Sequence, residues 1–309
     1  MTAPVDETEP PLPLRFITAV AIAGVAFFLG LGLGLVLSAD GEFADEPAPT
    51  TSPTVTTTVP TTVPVTDRPD ITNTGHDDTS LLIVESSLIR VTEPGTVIEN
   101  VRALDGIRVE ATDVTIRNSY VTSARTNVID CSHADCRGLV VEDVTIEGAR
   151  PCQQGIGYRS FTARRVDVSG CVDGFKGHSD TTVEASWCHD LDKYDTANGG
   201  STHNDCFQGT GGSDVTIRGN SFEAIPLRQT SAIKISGQRA PLERIRIEGN
   251  WLSGGTVGVY LNDQGAGPPV DSALVGNVFA TDTITWEPWR VAGDVTVTGN
   301  IDDAGNELR

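Results

Sequence analysis

The chain has 309 residues, a formal net charge of −20 and no block of lysine or arginine. Nucleic acids and anionic lipid surfaces bind through clustered cations, so this composition argues against both as partners. An acidic polymer could bind such a chain only where a few basic residues are grouped locally.

The N-terminal part of the chain predicts one membrane anchor. Residues 16–37 form a stretch of 22 residues without a charge, and about 20 apolar residues cross a bilayer core. The stretch is longer than the apolar centre of a cleaved signal peptide, which favours a retained anchor. Arg15 precedes it and the next basic residue is Arg68. We therefore expect a cytoplasmic tail at 1–15 and a single-pass protein of the cell membrane with an extracellular C-terminal domain.

A linker and a cysteine-containing domain follow the anchor. Residues 38–74 include a Pro/Thr-rich tract that cannot bury a core, so we expect a disordered stalk, with one domain at 75–309. An even number of cysteines in a translocated domain indicates disulfides, whereas the absence of a CxxC pair disfavours zinc. Pairing neighbours in sequence closes short local loops and is the pairing we expect: Cys131–Cys136, Cys152–Cys171 and Cys188–Cys206.

A short β phrase recurs through the domain. It begins at residues 114, 139, 161, 181, 215, 245, 272 and 295, at intervals of 20 to 34 residues, and several copies end in Gly-Asn. Each phrase alternates β-branched and polar residues, with no competing helical stripe outside the anchor. Units of this size cannot bury their own apolar face, so they must stack.

A second column of short segments gives the register of the stack. The segments begin at residues 127, 154, 173, 205, 231 and 257, and the third residue of each is apolar: Ile129, Ile156, Phe175, Phe207, Ile233 and Val259. Two apolar columns at a coil-sized period predict a solenoid of parallel strands. An immunoglobulin-like sandwich is the alternative that these columns disfavour.

The repeat and its Gly-Asn turns, over about residues 79 to 309, resemble the right-handed parallel β-helix proteins of the pectate-lyase-like superfamily. The all-β fold is therefore expected to be a right-handed parallel β-helix. Such a resemblance identifies architecture better than activity.

If the third residue of each segment points inward, the fourth and sixth point outward. The fourth positions then place Lys176, Gln208, Lys234 and Tyr260 in one row. The two lysines would lie about 10 Å apart, since rungs repeat at about 4.8 Å. The sixth positions add Arg159 and His178 to a local basic stripe on an acidic chain.

The longest interval holds His203 and an Asp-rich insertion, and the adjacent interval carries Arg228 and Arg239. Long insertions in repeat folds usually lie on a functional face, so we expect this one to form a wall of a cleft beside the stripe. Asp173 and Asp205 begin their segments in the same position as Asn127, Gln154 and Ser231. A stacked polar ladder explains that position somewhat better than a Ca²⁺ site does.

The resemblance implies an acidic polysaccharide or envelope glycan as partner, and lyase or epimerase chemistry at a uronate. It casts Lys176 or Lys234 as the base and His203 or His178 as the proton partner. Arg228 would hold carboxylate, Arg159, Gln208 and Tyr260 would contact sugar, and Arg239 is a reserve base in a partial R-x-P-x-x-R signature. Calcium at Asp173 and Asp205 is the one cofactor implied.

Two other functions remain open. The same fold could be a non-catalytic module that binds carbohydrate or cell wall, or a structural protein with no small ligand. The scarcity of aromatic residues favours the enzyme over the binding module. Trp286 and Trp289 are expected to pack or cap the last coil rather than stack on sugars.

Overall fold

The computed structural model describes residues 67–77, 82–195, 200–224 and 230–309. The predicted tail, anchor, Arg228 and most of the linker lie outside these ranges. In chain order, the strands are β1 (Ile83–Glu85), β2 (Ile89–Val91), β3 (Val97–Glu99), β4 (Val101–Ala103), β5 (Ile107–Val109), β6 (Thr115–Ser123), β7 (Asn127–Asp130), β8 (Leu139–Gly148), β9 (Gln154–Gly157), β10 (Phe161–Arg164), β11 (Asp167–Ser169), β12 (Asp173–Gly177), β13 (Thr181–Glu184), β14 (Trp187–Cys188), β15 (Asp205–Gly209), β16 (Gly212–Arg218), β17 (Ser221–Glu223), β18 (Ser231–Gly237), β19 (Leu242–Glu248), β20 (Trp251–Ser253), β21 (Val257–Asp263), β22 (Ser272–Val275), β23 (Val278–Ala280), β24 (Glu287–Val291), β25 (Val295–Thr298) and β26 (Ile301–Asp302).

The described strands form two parallel sheets. The nine-stranded sheet contains β2, β5, β7, β9, β12, β15, β18, β21 and β24, and the other strands form a seventeen-stranded sheet. Between successive strands of the nine-stranded sheet, the chain passes through the other sheet and returns one position further along. This all-β arrangement is compatible with a parallel β-helix, and it differs from the antiparallel sheets of an immunoglobulin-like sandwich.

The described residues include no helix, and so none that could cross a membrane.

The predicted apolar column is confirmed. Ile129, Ile156, Phe175, Phe207, Ile233 and Val259 are in register on neighbouring strands and are fully buried. Trp289 is the next residue of the column after Val259 and packs against Phe279, with 5.3 Å between ring centroids. This contact is the one expected of a residue that packs the last coil. The expectation for Trp286 is wrong, because this side chain is 66% exposed.

The three expected disulfides are also confirmed. They join Cys131 to Cys136, Cys152 to Cys171 and Cys188 to Cys206, and no free cysteine remains among the described residues. Because Cys188 and Cys206 flank the long insertion, their disulfide ties both ends of the insertion to the core. Closing a loop restricts the unfolded chain and so stabilises the fold.

The Gly-Asn pairs, predicted as turns, also build a ladder inside the molecule. Each glycine has a φ between 61° and 66°, which turns the chain so that the next asparagine points inward. The four asparagines of the ladder are buried: Asn220, Asn250, Asn277 and Asn300. Asn250 Nδ2 donates to Ile217 O and to Asn277 Oδ1, each at 2.9 Å, and the same pattern repeats along the ladder.

The described segment 67–77 lies against the outside of the seventeen-stranded sheet. Arg68 pairs with Glu223 at 2.9 Å, Gly75 N donates to Arg165 O at 2.8 Å, and Asp77 N donates to Asn118 Oδ1 at 3.1 Å. Because of these contacts, the part of the chain that packs on the domain includes Arg68, which lies upstream of the expected domain boundary at residue 75.

We expect Asn250→Ala to lower the free energy of unfolding by about 3 kcal/mol, because it leaves several buried hydrogen-bonding groups without a partner. Denaturant titration measures this change. Asn306→Ala, an exposed asparagine bonded to Asp302, is the matched control and should change stability little. Equal stability of Asn250→Ala and wild type would show that the ladder does not hold the coils together.

Candidate functional site

The structure confirms the predicted row on the outside of the nine-stranded sheet. Lys176, Gln208, Lys234 and Tyr260 are register partners on β12, β15, β18 and β21, and each is partly exposed. Arg290 on β24 continues the row beyond Tyr260. At the rung spacing of about 4.8 Å, Lys176 and Lys234 lie about 10 Å apart.

A cleft of about 560 Å³ opens at the carboxyl ends of these strands. Its lining comes from the turns that follow β9 and β12, and from residues beyond β7, β15 and β18. The cationic or titratable groups that line it are Arg137, Arg159, Lys176, His178 and Arg239, accompanied by one carboxylate, Asp180. Four of the predicted site residues, Arg159, Lys176, His178 and Arg239, therefore meet in one cleft.

Gly177, which also lines the cleft, packs closely against the core. A Cβ atom there would lie 2.7 Å from Thr181 Cγ2 and 2.8 Å from the ring of Phe207. The missing side chain brings Lys176 and His178, on either side of Gly177, close to the packed core. Both side chains thus reach the cleft from a short, closely packed segment.

The cations of the cleft differ from most others on the surface, because carboxylates neutralise most of the others. Thirteen of the described arginines form ion pairs. Within the described part of the chain, Arg137, Arg159 and Arg239 form none, and neither do Lys176 and Lys234. Arg102 and Lys193 also form no ion pair and lie outside the cleft, so five of the seven described lysines and arginines without an ion pair belong to the cleft or the adjoining row.

Tyr158 provides an aromatic surface beside these cations. Its side chain is 43% exposed, and Lys176 Nζ lies 5.5 Å from its ring centroid. A cation over a tyrosine ring is attracted to it, so this contact helps to orient the ammonium group. The next residue, Arg159, donates from Nε to Ser132 O at 3.3 Å.

Two buried aspartates lie at the opposite, amino ends of β12 and β15. Asp173 is 3% exposed and Asp205 is fully buried, and Asp205 N donates to Asp173 Oδ1 at 3.1 Å. Gln208 Nε2 donates to Asp205 Oδ2 at 3.1 Å, so the side chains of the first and fourth positions of β15 meet. The expected polar ladder is thus present.

Burial has the largest effect on the pKa values of Asp173 and Asp205. It raises the pKa of the Asp205 carboxyl to about 6, although Lys234 and the hydrogen bond from Gln208 favour the charged form. Burial, followed by the charge of Asp205, raises the pKa of Asp173 well above its ordinary value. The two carboxyls therefore resist ionising together.

The donor set around the two aspartates does not match what calcium requires. Ca²⁺ binds about six to eight oxygen ligands, whereas no group of three His, Cys, Asp or Glu side chains in the described ranges could hold a metal ion. Asp205 Oδ1 lacks a hydrogen-bond partner among the described residues, but Lys176 and Lys234 already supply positive charge nearby. Calcium stays a prediction, and no step below depends on it.

The described residues of the insertion precede β15 and so lie at the other end of the strands from the cleft. These residues, 191–195 and 200–204, line no part of the cleft and so do not form the expected cleft wall, and residues 196–199 lie outside the described ranges. Asp192 pairs with Arg150, and Asn204 Nδ2 donates to Asp192 O at 2.8 Å. His203 is exposed on this side, before β15, whereas His178 lies in the cleft after β12. A strand separates the two, so they do not share one site.

Two cleft residues had no usable signal in the sequence. Arg137 follows the Cys131–Cys136 loop, and Tyr158 follows β9, so neither occupies a position of the repeated strands. Only the folding of the turns brings them beside Lys176.

Comparison of the chain with family models, with curated proteins and with solved structures found no match.

The buried carboxyls predict a pH-dependent stability. An unfolded aspartate has a pKa of about 3.9. Between that value and about 6, the folded chain keeps a proton on Asp205 that the unfolded chain releases. The free energy of unfolding should therefore fall as the pH rises through this window, by about 3 kcal/mol from Asp205. Asp205→Asn should lose less stability between pH values of about 4 and 8.

Denaturant titration across this pH range measures the difference. Asp303→Asn, an exposed aspartate at the C-terminal end, is the control and should keep the wild-type dependence. The same dependence in Asp205→Asn as in wild type would contradict a proton held at this site.

Proposed function

We propose that this chain is a membrane-tethered, extracytoplasmic protein that acts on acidic polysaccharide by proton abstraction, as a lyase or an epimerase. The observation that carries the proposal is the concentration of unpaired cations at the cleft and the row on a chain of charge −20. A polyanion is the ligand class that such a local surface attracts, while the acidic remainder repels it elsewhere.

The cleft supplies the groups that the reaction needs. Abstraction of the proton beside a uronate carboxylate is difficult unless fixed positive charge meets the developing enolate. Arg159, Arg137 and Arg239 would surround the carboxylate, and Lys176 would accept the C5 proton. The electron pair of the C–H bond would form a C5–C6 double bond, and a π pair of the carboxylate would move onto oxygen to give the enolate.

His178 would complete either reaction. In a lyase, the enolate electrons form a C4–C5 double bond, the C4–O bond breaks, and His178 gives a proton to the leaving oxygen. In an epimerase, C5 instead receives a proton on its opposite face. His178 Nδ1 lies 3.3 Å from Ser179 Oγ, which holds the ring beside the cleft. His203 is less suited to this role because it lies at the other end of the strand.

Two parallel sheets built from repeating coils support, at the level of architecture, a right-handed β-helix of the pectate-lyase-like superfamily. The three disulfides suit an oxidising compartment outside the cytoplasm. Tethering through residues 16–37 is part of the proposal, with the stalk between anchor and domain.

A second candidate is a non-catalytic glycan-binding module on the same surface. The exposed side chains of Tyr158 and Trp286 favour it, because aromatic faces stack on sugar rings without any chemistry. The two functions share the ligand and differ in whether Lys176 removes a proton.

Incubation of the full chain, in non-ionic detergent, with a panel of uronate polymers tests both candidates. We expect binding that weakens with salt, because the attraction is electrostatic. We also expect an ultraviolet absorbance rise from unsaturated uronate, or exchange of the C5 hydrogen with solvent. Lys176→Ala should abolish the chemistry, and Arg159→Ala should weaken binding about tenfold, which corresponds to about 1.4 kcal/mol.

Arg117→Ala is the matched control, because Arg117 pairs with Glu99 on the seventeen-stranded sheet. It should bind as wild type does. Binding without chemistry would establish the glycan-binding module, and absence of binding to every acidic polymer, with or without Ca²⁺, would refute both candidates.

A further inference from the structure

An exposed aromatic and cationic platform lies at the far end of the row from the cleft. Trp286 precedes β24 and is 66% exposed. The guanidinium of Arg290 lies 4.2 Å from the centroid of the Trp286 ring and 5.7 Å from that of Tyr260. These three residues form the Trp286 platform.

An ion pair and the strand register position Arg290 within the platform. Arg290 pairs with Glu287 at 2.5 Å, and Tyr260 is its register partner on the neighbouring strand. The sheet therefore fixes the position of the Arg290 guanidinium, which contacts the ring of Trp286. A rigid aromatic face loses little conformational entropy when a ligand stacks on it.

Arg290 itself is a poor anion site, because Glu287 already neutralises it. The platform thus differs from the cleft, where the cations have no carboxylate partner among the described residues. Its available feature is the exposed indole face, which suits the apolar face of a sugar ring. One tryptophan among polar neighbours is too small an apolar surface for a stable protein partner.

The row connects the platform to the cleft. Lys176, Gln208, Lys234, Tyr260 and Arg290 follow one another on consecutive strands. Four rungs separate Lys176 from Arg290, or about 19 Å. Between the two ends, Gln208 and Lys234 offer hydrogen bonds and positive charge to an acidic chain. At the cleft end, Tyr158 offers a second aromatic face.

We infer that the Trp286 platform is a remote sugar-binding subsite, which stacks a ring of the same acidic glycan whose uronate lies in the cleft. This inference rests on the proposed function. It predicts that the ligand is an oligosaccharide, since a short saccharide bound in the cleft would not reach Trp286.

The test compares Trp286→Ala with wild type, as full chains, on uronate disaccharides and on long uronate oligosaccharides. We expect Trp286→Ala to weaken binding of long oligosaccharides about tenfold, or about 1.4 kcal/mol, and to leave disaccharide binding unchanged. Trp286→Tyr keeps an aromatic face and should retain most of the affinity for long chains. Because Trp286 is exposed, both variants should keep the wild-type unfolding temperature.

Two results overturn the subsite. One is unchanged binding of long oligosaccharides by Trp286→Ala, and the other is an equal loss for short and long ligands. If Arg159→Ala still weakens binding in either case, the proposed function survives and only the subsite fails. If wild type binds no acidic glycan of any length, the subsite and the proposed function fail together.

Discussion

Hydrogen bonding between successive coils, in one fixed register, is the constraint on which the other features of this domain depend. Each parallel strand pair holds a residue directly above its counterpart one coil away, and the buried asparagine ladder repeats this register inside the molecule. Slippage by one residue would turn an entire apolar column outward. The same register carries Lys176, Gln208 and Lys234 into a row, so the stability of the core and the placement of the surface groups have one cause.

The outer face of the nine-stranded sheet separates two kinds of polar group. At the amino ends of the strands, Asp173 and Asp205 are buried and bonded within the ladder. At the carboxyl ends, cations without a carboxylate partner in the described part of the chain surround an open cleft. Burial raises the pKa of the aspartates, which reduces the negative charge beside the lysine row. Below a pH of about 6 the face therefore carries less negative charge than its composition suggests.

Sequence reasoning predicted the parts of the site that follow the repeat, and missed those that do not. Lys176, Gln208, Lys234 and Tyr260 occupy equivalent positions of successive segments, so their alignment was readable from spacing alone. Arg290 continues the same row, but the last segment departs from the pattern and was not recognised. Arg137 and Tyr158 lie in turns of irregular length, where spacing gives no position. The described part of the insertion does not line the cleft, because the length of an insertion does not reveal the end of the strand to which it packs.

The sequence by itself determined the stacking period, the apolar columns and the local disulfide pairing, because each depends on residues at regular or short spacings. Only the tertiary structure decided which cations meet in the cleft, which aspartates are buried, and that Trp286 is supported by Arg290 at the surface. These features depend on how turns of unequal length fold against neighbouring coils. Their geometry arises from contacts between distant residues, and a repeating pattern along the chain carries no information about them.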